Sequence, residues 1–254
     1  MNDVNTTLSS DEFIEQIITE QVGSSTIINA VGYSSSYSGT IPYCSTNPTL
    51  GNADVFVAKF TLNAGTVTKN WLTFIGSDGS GNCSGCDNYD WGYCMALDHD
   101  GANTFLYVAG NNLGASSTYS IPSACVAACN TSPYQSARKD SWDAFLAKLD
   151  ASNESITAWT YFGGTSNNGT EKKDIIMGLA IKPGTLHDVY AVGYTESAYT
   201  NQLCTSCGAT VWDNSNNGAG DAFIAAFDKC PHTLKYFTFY NVTSGVAAIK
   251  QGSL

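Results

Sequence analysis

The sequence predicts an all-β chain of about three consecutive four-stranded antiparallel units, and three observations carry that prediction. A strand-sized pattern recurs as Asp54-Val-Phe-Val-Ala-Lys-Phe60, Asp143-Ala-Phe-Leu-Ala-Lys-Leu149 and Asp221-Ala-Phe-Ile-Ala-Ala-Phe227, at spacings of 89 and 78 residues. A second pattern keeps the same order as Ile27-Ile-Asn-Ala-Val-Gly-Tyr33, Phe105-Leu-Tyr-Val-Ala-Gly-Asn111 and Val189-Tyr-Ala-Val-Gly-Tyr194. Only 13% of residues are charged, while Gly 24, Tyr 14, Phe 11 and Trp 5 supply turns and a core, the composition of strands joined by polar loops.

Two further patterns complete each unit. An aromatic strand follows the Asp-x-Phe strand after a short turn, as Trp71-Leu-Thr-Phe-Ile-Gly76, Trp159-Thr-Tyr-Phe-Gly163 and Tyr236-Phe-Thr-Phe-Tyr240. A shorter strand, Tyr93-Cys-Met-Ala-Leu97 and then Met177-Gly-Leu-Ala-Ile181, precedes the glycine-bearing one. Its third copy, Gly245, Val246, Ala247, Ala248 and Ile249, opens a further unit and is the expected assembly edge, because unpaired strand backbone is a template for a partner strand. The period of two puts Phe56, Ala58 and Phe60 on one face and Val55, Val57 and Lys59 on the other. Both faces are largely apolar, as a sheet sandwiched between two others requires.

Residues 1–25 form a separate N-terminal segment with two readings. Ser9-Ser-Asp-Glu12 before Phe13, Ile14, Ile17 and Ile18 fits a capping box opening a short helix. Ile17-Ile-Thr19 equally falls where a first strand would lie. The repeat region is 26–254, with units at about 26–92, 93–176 and 177–244 and the first strand of a further unit at 245–250.

In order and composition, Asp143-Ala-Phe-Leu-Ala-Lys-Leu-Asp150, Trp159-Thr-Tyr-Phe-Gly-Gly164, Gly178-Leu-Ala-Ile181 and Val189-Tyr-Ala-Val-Gly-Tyr-Thr195 resemble the seven-bladed β-propeller (SBBP) repeat family. The resemblance spans about 26–250 and implies a radial array of four-stranded blades, secreted or envelope-associated and often without catalysis. Long loops at 34–53, 112–142 and 195–220 lengthen the repeat here, and three units fall short of the 4–8 blades of a typical propeller. An incomplete propeller, or one completed by oligomerisation, is therefore expected.

All nine cysteines except Cys94 lie in loops: Cys44, Cys83, Cys86, Cys125, Cys129, Cys204, Cys207 and Cys230. Disulfide staples are the leading expectation for all nine, Cys94 at a strand entrance included, since cross-links remove unfolded-state freedom where no sheet does. Buried thiols and a zinc knuckle at Cys83-x-x-Cys86 with Cys204-x-x-Cys207 are the alternatives. An odd count leaves one thiol unmatched within the chain. Six glycosylation sequons begin at Asn5, Asn82, Asn130, Asn153, Asn168 and Asn241. With the cysteines they point to an extracellular or cell-surface setting, although the first twenty residues lack the basic start and apolar run of a signal peptide.

The formal net charge of −11 argues against nucleic acid, which needs clustered Lys and Arg, and no run approaches the roughly 20 apolar residues of a membrane span. His99, His187 and His232 fall in turns between strands, as solvated residues with no common pocket. Asp98-His-Asp100-Gly101 partly matches the opening of a calcium loop, where hard carboxylate oxygens suit Ca²⁺, and is the weak metal candidate. No other cofactor and no enzymatic activity are expected.

The function expected is a non-catalytic surface module, binding protein partners or itself through open strand edges. The alternative is a lectin-like propeller or a carbohydrate-active hydrolase or lyase. A binding-module reading places recognition on the loop tips, with Tyr33, Tyr37, Tyr43, Tyr119 and Tyr134 as exposed aromatic candidates, and the enzyme alternative would use carboxylates such as Asp87, Asp90 or Asp140.

Overall fold

The computed structural model describes residues 12–35, 53–76, 89–112, 133–136, 138–139, 142–164, 172–197, 212–213, 216 and 220–240. These form twelve strands in three four-stranded antiparallel sheets, each with its strands in chain order. The first holds β1 (Glu12–Val22), β2 (Ser25–Ser34), β3 (Asp54–Asn63) and β4 (Thr66–Ile75). The second holds β5 (Asp90–Asp100), β6 (Asn103–Asn112), β7 (Asp143–Asp150) and β8 (Ile156–Phe162). The third holds β9 (Asp174–Ile181), β10 (Val189–Thr195), β11 (Asp221–Phe227) and β12 (Leu234–Tyr240). The assembly edge at 245–249 lies outside the described residues, within which no helix is long and apolar enough to cross a membrane.

Residues 12–22 form a strand, so the helix suggested by the capping-box pattern is corrected. Paired with β2 from Glu12–Ser34 to Val22–Ser25, β1 satisfies backbone groups that a helix would leave open along β2. The first sheet thereby gains its fourth strand ahead of residue 26.

The sheets stack face upon face in sequence order. Val31, Val55, Val57 and Ile75 of the first sheet form one core with Leu106, Val108, Phe145 and Leu149 of the second. Tyr107, Ala109, Ala144 and Leu146, from the opposite face of that second sheet, form another core with Val189, Phe223, Phe227 and Phe237 of the third. Ala147 and Ala225 are buried in these two junctions and keep the layers close, while their equivalent Ala58 lies on the outer face of the first sheet. Each sheet carries the same two irregularities, a bulge in its first strand and one in its fourth. The recurring glycine of the second strand sits opposite the first bulge. A Cβ on Gly32, Gly110 or Gly193 would lie 1.8, 1.7 or 1.9 Å from the carbonyl oxygen of Phe13, Trp91 or Ile175.

Candidate functional site

The sheets present two different ends. Short turns join first to second and third to fourth strands at one end, while the long connections leave from the other. At the long-loop end, the residue before each third strand clasps the next sheet. Ala53 forms a parallel bridge with Tyr89, and Trp142 one with Lys173. The amides of Asp90 and Asp174 donate to the carbonyls of Ala53 and Trp142, both at 2.8 Å. These clasps draw strand-end aromatic residues of separate sheets together.

The result is a ribbon of rings along this rim. Phe13 stacks on Tyr33 at 4.9 Å, Tyr33 meets Trp91 edge-on at 6.3 Å, Tyr89 stacks on Trp91 at 5.5 Å, and Trp142 lies 5.3 Å from Trp91. Lys173 of the third sheet places its Nζ 4.6 Å over the Trp142 ring. Phe13 is 45% exposed, and Tyr33, Tyr89, Trp91 and Trp142 are half-buried, so the ribbon is accessible yet held on both sides. Of these residues Tyr33 is the aromatic contact candidate expected from the sequence. The signal for the Trp residues was present: Trp142 abuts the repeated Asp143, and Trp91 follows Asp90 at a strand start.

Buried polar groups fix the loop stems beneath the ribbon. The Asp143 carboxylate accepts from the Lys139 amide and from Gln135 Nε2, both at 2.7 Å, and Gln135 Oε1 in turn accepts from the Gly163 amide at 3.2 Å. Asp174 accepts from the hydroxyl of Thr195, from Ser197 Oγ at 2.8 Å and from the Gly164 amide at 3.1 Å. These carboxylates shape loops, which is the chemistry of a scaffold. Asp90 is buried at the same end, whereas Asp87 and Asp140 lie outside the described residues.

Asp98 and Asp100 lie at the opposite, short-turn end. Asp98 is buried, and its Oδ1 is 2.6 Å from His187 Nδ1 in the third sheet. Asp100 accepts from Lys229 Nζ at 2.9 Å, which holds its carboxyl below the ordinary aspartate value, and lies 3.7 Å from His187 Nε2. Asp98 Oδ1 and Asp100 Oδ2 thus have partners in the protein, whereas Asp98 Oδ2 is buried with no hydrogen-bond partner. Among the described residues no group of three or more His, Cys, Asp or Glu side chains is arranged to hold a metal ion.

Of the histidines expected in solvated turns, His232 lies half-buried in the β11–β12 turn and His99 lies within β5. His99 is exposed and meets Glu20 of the first sheet at 2.7 Å. His187 is largely enclosed and joins two sheets, a correction that follows from a distant partner the local sequence cannot display. Burial lowers the pKa of His232. Tyr134 is half-buried and packs edge-on to Phe227 at 5.9 Å. Tyr37, Tyr43 and Tyr119 lie outside the described residues.

Comparison with family models, curated proteins and solved structures finds no match.

Cys94 is corrected from the disulfide set: it is a free, buried thiol in β5, with its sulfur 3.8 Å from the Ala109 carbonyl, and burial pushes its pKa up. Cys230, in the turn after β11, is disulfide-bonded. Cys44, Cys83, Cys86, Cys125, Cys129, Cys204 and Cys207 lie outside the described residues. So do the sequons at Asn5, Asn82, Asn130, Asn168 and Asn241. Asn153 is exposed in the β7–β8 turn, and its Oδ1 accepts from the Ser155 amide at 3.0 Å and hydroxyl at 2.7 Å.

Proposed function

We propose that this chain is a non-catalytic binding module of the β-propeller type, its three sheets serving as blades, in an extracellular or cell-surface setting. Its ligand sits on the aromatic rim at the long-loop end. The observation that supports this reading is the contact series Phe13–Tyr33–Trp91–Trp142, drawn from two sheets and reached by Lys173 of a third. Half-buried Tyr and Trp offer a large, rigid apolar surface with a polar atom at the edge. A pyranose sugar matches that surface, with its C–H face against a ring and its hydroxyls toward the polar loop ends. The proposed ligand class is therefore glycan.

A glycan array probed with the intact protein tests this. Binding that is lost in Trp91→Ala and Trp142→Ala, with melting temperature retained, supports the reading. Absence of binding to every glycan overturns the ligand class. Release of shortened sugars from a bound glycan would instead favour a carbohydrate-active hydrolase or lyase.

A further inference from the structure

The two internal junctions are built to one plan, and the outer faces of the first and third sheets carry the two halves of that plan partly exposed. At each junction the later sheet offers the face bearing the Phe of the Asp-x-Phe strand. In the second sheet this face is Leu106, Val108, Phe145, Ala147 and Leu149, and in the third it is Val189, Ala191, Phe223, Ala225 and Phe227. All ten side chains are at most 1% exposed. The equivalent residues of the first sheet, by pairing register, are Ile28, Ala30, Phe56, Ala58 and Phe60. Ile28, Phe56 and Phe60 are only partly covered, and Ile14 and Ile17, beside them on β1, are 65% and 57% exposed.

The opposite face behaves in the complementary way. Val57 and Leu146 are fully buried beneath the next sheet, whereas Ile224 at the same position of the third sheet is 37% exposed. Asn29 and Tyr107 are buried, and their counterpart Tyr190 is 38% exposed. Contiguous apolar faces of this kind mark interaction sites.

We infer that a second copy of this chain covers these faces head to tail, the Phe56 face of one copy seated on the Ile224 face of the next. The argument is continuity: the chain already makes this interface twice, with the same positions buried each time. The contact is heterologous, so it propagates into a ring if the rotation closes and a filament if it does not. It is weaker than the internal junctions, because Ala226 stands where Lys59 and Lys148 reach across to the following sheet. Association should therefore depend on protein concentration. The inference is independent of what the aromatic rim binds.

Light scattering coupled to size exclusion tests it through complementation. The wild-type mass should rise with concentration to at least twice the 26.9 kDa of one chain. Ile17→Lys and Ile224→Lys should each remain monomeric alone, since each spoils one half of the contact. An equimolar mixture of the two should form a one-to-one dimer and stop there, because each variant contributes its intact face. A strictly monomeric wild type overturns the inference, as does a mixture that stays monomeric. Association that survives Ile224→Lys but is lost in Ile17→Lys would mean a symmetric contact and also overturns it. Melting curves confirm that the variants fold, and Ile14→Lys with Tyr190→Lys replace either variant that does not.

Discussion

Lys148 donates from Nζ to the backbone carbonyl of Lys229, one sheet further on, at 3.1 Å. Lys59 does the same to the carbonyl of Ala151 at 2.8 Å, where Trp71 Nε1 adds a second bond at 3.2 Å. The two lysines are the sixth residues of the repeated Asp-x-Phe pattern, and the two carbonyls occupy equivalent places just after the third strands. A feature repeated along the chain thus acts between repeats. Each lysine satisfies a turn carbonyl that the sheets themselves leave unpaired, and its alkyl stem packs against the apolar junction.

Removing the second of these links should cost more than removing the first. Lys148 is buried and places its ammonium 4.0 Å over the Phe105 ring, whereas Lys59 is only partly buried. Lys148→Ala should destabilise by about 2–4 kcal/mol through the lost ring contact, hydrogen bond and packing, and Lys59→Ala by about 1 kcal/mol. Urea unfolding of each variant measures the difference.

The Asp98–His187 pair gives a second junction test. Asp98 is 4% exposed, so His187→Ala leaves a buried carboxylate without its partner. A loss of about 3 kcal/mol is expected, largely insensitive to salt, because enclosed pairs are poorly screened. His99→Ala, at an exposed pair, should cost less than about 1 kcal/mol. Denaturation at low and high ionic strength separates the two.

The strand patterns were legible in the sequence because each obeys a local rule, alternation of side chains with turn residues at the ends. The role of Lys59, Lys148 and His187 was not, because each is defined by an acceptor about 80 to 90 residues away. β1 was ambiguous for a related reason. Ile14, Ile17 and Ile18 fit either period until the exposed edge of β2 decides between them. The aromatic rim was half legible, since Tyr33 stands out in its strand, but only the bridges at Ala53 and Trp142 bring the rings of different sheets together.

Gly110 should tolerate no side chain. Its Cβ would meet the Trp91 carbonyl oxygen at 1.7 Å, and that carbonyl is backbone inside a bulged pair that cannot withdraw without breaking the register. Gly110→Ala should therefore cost about 3 kcal/mol or more, at the upper end of overpacking penalties. Gly101→Ala offers the contrast. Nothing lies within 4 Å of its Cβ, so its cost, about 1 kcal/mol, comes from the backbone φ of +65° alone. Thermal melts of both variants read the effect.

Cys94 should be the chain's one free thiol if the other eight cysteines pair, which the parity of nine allows. Enclosed in β5 and held protonated by burial, it should resist iodoacetamide in the folded protein even at pH values where an exposed thiol reacts. Intact mass after alkylation should show no adduct under native conditions and a single adduct once the protein is denatured without reductant. Additional adducts would mean that some loop cysteines are reduced.

Alkaline titration probes the junctions through their tyrosines. Burial and the nearby Glu196 push Tyr194 up to about 12, burial pushes Tyr134 to the same value, and Tyr107, whose hydroxyl donates to the Lys229 carbonyl at 2.6 Å, is raised further. In the unfolded chain these phenols ionise near 10. Because the folded values are the higher ones, the stability contributed is complete below pH 10 and is lost as pH rises toward 12 and beyond. Absorbance at the phenolate band should therefore show a late-ionising group of tyrosines whose ionisation coincides with loss of the β-sheet circular dichroism signal. Tyr107→Phe should remove one member of that group and weaken the second junction by about 1–2 kcal/mol at neutral pH, through the Lys229 carbonyl it leaves with one donor fewer. If all fourteen tyrosines ionised together near 10 with the sheets intact, the enclosure of Tyr107 between the second and third sheets would be wrong.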